Sequence, residues 1–124
     1  MAKRRTVFKE IPIIPYVCVM WLIITNDPHH ECAMMNQRYK NLGLKWPSDA
    51  AAWTEDQFYM GNYLSVVFDA SLGLDVNTIA HEAIHIKNAV FKHSGIKHDF
   101  DNDEPEAYLT GWIVEQIFKA WKEL

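Results

Sequence analysis

Two imidazoles and a carboxylate stand within five residues at His81-Glu82-Ala83-Ile84-His85. On a helix, residues four apart share a face, with Cβ atoms about 5–6 Å apart, so both rings can aim at one ion. Neutral imidazole is a good zinc ligand. Glu82 follows the first histidine by one position, so it lies beside the ion rather than on it. There it can take a proton from a water whose pKa zinc lowers to about 7. That is the mechanical content of an H-E-x-x-H pattern. The neighbours Ala80, Ala83, Ile84 and Ile86 are apolar, so the helix reads as largely buried. Two histidines and a glutamate in such a helix need partners, and a metal supplies them together. The plainer alternative is a partly exposed helix face that carries two histidines and no ion.

A catalytic zinc usually has three protein ligands and one open position, so a third donor must come from elsewhere. His93 and His98 are candidates, eight and thirteen residues after His85. The extended pattern with a third histidine six residues after the second is absent, because Asn88 and Phe91 occupy its glycine and histidine positions. Asp99, Asp101 and Asp103 read as a solvated loop. Glu104 and Glu106 open the last helical segment and make better candidates. They point about 200° apart on a helix, so only one of them can be the ligand. Small Ala107 and Gly111 suit a close approach of two helices. Both glutamates also complement a helix N-terminus without any metal.

The pattern H-E-x-x-H followed by Glu104-Pro105-Glu106-Ala107-Tyr108 resembles the gluzincin branch of zinc metallopeptidases. More closely, residues 77–88 (NTIAHEAIHIKN) and 102–117 (NDEPEAYLTGWIVEQI) are similar to small zincin-like proteins of bacteriophage and prophage genomes. The similarity spans about residues 10–122 and is sharpest over 77–117. It implies zinc held by His81, His85 and Glu104, with Glu82 as general base. Tyr108 stands where the larger gluzincins have Asp or Asn. Glu104 and Tyr108 are four apart, so the Tyr108 hydroxyl can serve as an oxyanion donor; the bland reading is a core tyrosine. His93 and His98 are weaker candidates for that role. Asn88, two turns beyond His81, is a candidate to orient a ligand.

These residues need a helix, and the pattern around them supplies it. Asp75 or Asn77 can cap a helix that runs to about His93 and stops at Ser94-Gly95. A last helix runs from about Asp103 to the C-terminus, with Pro105 in its first turn. Upstream, Tyr16–Ile24 is rich in β-branched and aromatic residues and reads as a central strand. Asp27-Pro28 then starts a helix to about Asn41, ended near Gly43. Tyr63–Asp69 is a second strand. Residues 51–59 read as its hairpin partner across Gly61-Asn62, although Ala50-Ala51-Ala52 also suits a helix. The expected order is β-α-β-β-α-α, an α+β domain with a small, mainly antiparallel sheet.

Bulk properties bound the rest. At 124 residues and 49% hydrophobic content, the chain suits one domain with one core. Residues 1–9 carry Lys3, Arg4, Arg5 and Lys9 and read as a basic tail. The formal charge of −4 argues against a nucleic-acid partner. The apolar run Ile11–Ile24 is interrupted by Pro12 and Pro15 and is too short to span a bilayer. Cys18 and Cys32 form no C-x-x-C pair, so thiols are expected reduced and the protein cytoplasmic, in a host cell if phage-borne. His29-His30-Glu31-Cys32 is a poor ligand set, because adjacent helical residues diverge. Trp112, Ile113, Ile117, Phe118 and Trp121 make the last helix apolar on more than one face, which raises a homodimer contact.

The expected function is a zinc-dependent hydrolase, a metallopeptidase acting on a peptide or protein substrate. The alternative is a non-catalytic zinc-binding module that contacts a host protein. No membrane partner is expected.

Overall fold

The computed structural model describes residues 3–40, 42–47, 49–55 and 57–124. Strands β1 (Thr6–Pro12) and β2 (Val19–Thr25) precede helix α1 (Pro28–Arg38). Strands β3 (Ala52–Thr54) and β4 (Tyr63–Asp69) follow, then helices α2 (Val76–His93) and α3 (Glu104–Trp121). The sheet order is β1-β2-β4-β3. Pairing is antiparallel at β1–β2 and β3–β4 and parallel at β2–β4.

The class is α+β, with one more strand than the sequence reading and a mixed sheet. The extra strand is β1, so residues 6–9 of the expected basic tail are strand residues. Their alternation is that of an edge: Val7 is buried while Thr6, Phe8 and Glu10 are exposed. Charge on an edge strand blocks pairing with other chains, and it also hides the strand from a hydrophobicity pattern. The parallel β2–β4 pair needs a crossover, which α1 and β3 provide.

Central β2 separates two clusters by its period of two. Met20, Leu22 and Ile24 face one core with Leu64, Val66 and Phe68 of β4. Trp21 and Ile23 face the other, with Cys32, Met35 and Val67. α2 and α3 cover the first face with Ile79, Ala83, Ile86, Val90, Leu109, Ile113 and Ile117. Those residues recur at helical spacing, one apolar stripe on each helix. Trp112 and Trp121 are partly buried against the same core, and Phe118 is exposed.

The caps follow the sequence. Asp27 accepts from the His30 N–H at 3.3 Å with Pro28 next in line. α1 ends at Arg38; Asn41, the expected end, lies outside the described residues. Asp75 accepts from the Asn77 N–H at 3.1 Å and the Thr78 hydroxyl at 2.8 Å. α2 stops at Ser94, and Gly95 takes φ 71°, a left-handed conformation that favours glycine. The β3–β4 connection turns at Met60 and Gly61, and only 52–54 of the expected first arm is regular strand. Among the described residues, no helix is long and apolar enough to cross a membrane.

Ile86 follows His85 on α2, faces the main core and is fully buried. Ile86→Ala should lower unfolding free energy by about 2–5 kcal/mol in denaturant titration, because the lost methyls leave a cavity.

Candidate metal centre

α2 brings His81 and His85 together one turn apart on an exposed face that also carries Ala80 and Ile84, so the burial expected around the histidines does not hold and only Glu82 of the three is buried. Their Nε2 atoms lie 3.1 Å apart, with one N–H shared between them in a sense set by tautomer. The rings are edge to face, centroids 4.8 Å apart. Two nitrogens bound to one tetrahedral zinc at about 2.0–2.1 Å are roughly 3.3 Å apart, so the pair is set for one ion. An ion held there would take the place of the shared proton.

Glu82 completes the group. Donor atoms of His81, Glu82 and His85 all lie within 4.8 Å of one another. Among the described residues this is the one His/Cys/Asp/Glu group that could hold a metal ion. Glu82 is only 5% exposed, at the seam between α2 and β3. Its Oε1 accepts from the Thr54 hydroxyl at 2.7 Å, and its Oε2 is 3.8 Å from His81 Nε2. A buried carboxylate is costly without partners, and here one oxygen is held by β3 while the other faces the histidine pair. The sequence does not reveal Thr54; only the strand pairing β3–β4 carries it to α2.

The group opens into a cleft of about 610 Å³ between α2 and β3, lined among others by Trp53, Thr54, Glu55, Asn88 and Lys92. Asn88 is in this wall, as its position two turns after His81 suggests. Its Oδ1 is buried without a hydrogen-bond partner.

The other candidates lie elsewhere. Glu104 is exposed in the first turn of α3 and Tyr108 is 75% exposed; neither belongs to the donor group or lines the cleft. The reason is the side on which α3 packs. Glu106 Oε1 meets Lys87 Nζ at 2.8 Å, and Lys87 is two residues past His85, about 200° round the helix. His98 Nε2 approaches the same Glu106 oxygen at 3.4 Å. His93 stacks on Phe58 at 4.0 Å. Asp99 accepts from the Asp101 N–H at 3.0 Å within the exposed loop that also holds Asp103. Burial pushes the Cys32 thiol up to about 11, with the charges of Glu55 and Glu31 adding to it, and burial also raises Cys18. Both cysteines are packing residues, and His29, His30 and Glu31 contribute to no donor group.

No family model, curated protein or solved structure matches this chain.

The Lys87 hydrogen bond, then the Lys87 and His98 charges, hold the Glu106 carboxyl below its ordinary value. Such a group stabilises the fold above the unfolded glutamate pKa of about 4.3 and ceases to as pH falls through its lower folded value. Glu106→Gln should therefore be less stable than the wild type at pH 7, with the difference shrinking below about pH 4. Denaturant titrations at pH 7 and pH 3 check this.

Proposed function

We propose that the protein is a metal-dependent hydrolase, with zinc at the His81–His85 pair and a peptide or amide bond as substrate. The observation that carries this is the placement of Glu82. It is buried, tethered by Thr54 through one oxygen, and turned with the other toward the metal-binding nitrogens. A helix face that merely carries two histidines has no need of a buried carboxylate held beside them.

Bound zinc would supply Lewis acidity, polarising the substrate carbonyl and acidifying water. Glu82 Oε2 accepts the proton of the attacking water as its oxygen bonds to the carbonyl carbon. The Thr54 hydrogen bond keeps Oε1 occupied, so Oε2 is the atom that carries the proton. Glu82 then passes that proton to the leaving nitrogen as the C–N bond breaks. The cleft is open between α2 and β3, and His81, Glu82 and His85 line it from α2.

The third donor is Glu104 in this proposal, by resemblance alone. Glu106 is engaged by Lys87 and His98, whereas Glu104 is exposed. To serve, the first turn of α3 must turn toward the histidines and release the Lys87–Glu106 pair.

Elemental analysis of protein purified without added metal should find about one zinc per chain, lost in His81→Ala and His85→Ala. A folded wild type without metal sinks the proposal. Glu82→Gln should keep the zinc and lose hydrolysis of a denatured protein substrate by at least about 100-fold. Glu104→Ala should weaken zinc binding more than Glu106→Ala does; equal binding would remove Glu104 from the shell and leave the histidine pair as anchor.

A further inference from the structure

A second concavity of about 460 Å³ adjoins the metal cleft and shares Trp53 and Glu55 with it. Leu42, Trp46, Pro47, Trp53 and Tyr59 give it an apolar wall. We infer that this groove takes an aromatic side chain of a peptide lying across the metal cleft, making the centre selective for substrates with such a residue near the cut bond. The peptide part rests on the proposed function; the groove and its preference for an aromatic ring do not.

The local geometry links the two cavities. Thr54 sends its hydroxyl to Glu82 on the α2 side of β3. Neighbouring strand residues face opposite sides and are about 3.3 Å apart, so Trp53 stands one step from the Glu82 tether on the other face. β3 is the edge strand of the sheet, and the two concavities share Trp53 and Glu55 across it. Trp53 is 43% exposed there, a large aromatic surface left on a three-residue strand.

The wall is also built rigid. Tyr59 stacks on Trp21 with centroids 6.2 Å apart and 17° between planes, and Trp21 is fully buried. The segment bearing Trp46 is clamped to α1, because Asn36 donates to the Leu44 carbonyl and accepts from the Leu44 N–H, each at 2.8 Å. A preformed aromatic wall binds without ordering costs at the moment of binding. Among the described residues Lys45, Glu55 and Gln57 also line the groove, and its continuity with the metal cleft through Trp53 and Glu55 favours a peptide side chain as occupant.

The test uses zinc-loaded Glu82→Gln protein, which binds without turnover, and three probes: Ac-Ala-Ala-Phe-Ala-Ala-NH2, the all-alanine pentapeptide, and N-acetylglucosamine. Indole N–H signals of Trp46 and Trp53 are followed by NMR. The phenylalanine peptide should shift both signals and bind about 10- to 100-fold more tightly than the alanine peptide, the range expected for burying one aromatic side chain. Trp53→Ala should remove that advantage and Trp53→Phe should retain most of it. Equal binding of the two peptides, or shifts caused by the sugar alone, would overturn the inference. Selective binding together with no cleavage of the phenylalanine peptide by the zinc-loaded wild type would leave the groove standing and sink the hydrolase reading.

Discussion

The hydrogen bond from Thr54 to Glu82 is the contact on which the site depends. It ties the shortest strand of the sheet to the helix that carries both histidines, and it fixes which carboxylate oxygen is free. Without it Glu82 would be a buried charge facing only a histidine pair, a costly arrangement. With it one carboxylate oxygen is satisfied, and the other lies 3.8 Å from His81 Nε2. Several features serve that one contact. β4 must pair with β3 to bring Thr54 alongside α2. Asp75 must start α2 at the register that turns His81, Glu82 and His85 to the cleft. The stripe Ile79, Ala83, Ile86 and Val90 must hold that helix against the sheet.

What the sequence discloses and what it hides divide along range. The helix and its two histidines are local: four-residue spacing, an Asp75 cap and a glycine stop are enough to draw them. The central strand is as plain, because Met20–Ile24 is apolar on both faces and is buried on both. β1 is hidden, since Val7-Phe8-Lys9-Glu10 alternates as an edge strand does and borrows its meaning from β2. Thr54 is hidden for the same reason, as nothing near it in sequence marks it as the partner of a glutamate 28 residues away. The α3 side of the site is where sequence spacing is least able to decide. Glu104 and Glu106 differ by 200° of helix, and Lys87, an unremarked residue of α2, attracts Glu106 to the side away from the histidines.

That Lys87–Glu106 pair gives the molecule its division of labour. It anchors the α2–α3 hairpin on one side of α2, while the histidines, Asn88 and Lys92 stay on the side open to the cleft. The packing contact with α3 and the candidate metal group thus use opposite sides of one helix. Trp53 borders both the cleft and, across the sheet edge, a groove whose wall includes Leu42, Trp46 and Tyr59 of the second cluster. In the proposed reading, a substrate lying there would meet residues of the segment after α1, of β3 and of the β3–β4 connection, none of which carries the histidines. Selectivity and reactivity can then vary separately.

The central claim is that one helix turn of α2 holds a metal beside a tethered base. X-ray absorption at the zinc edge tests it most directly. The account predicts a zinc shell containing two imidazole nitrogens at about 2.0–2.1 Å with the remaining donors oxygen, unchanged by Glu82→Gln and lost with His85→Ala. A shell with no imidazole pair, or one that survives the loss of His85, would contradict it.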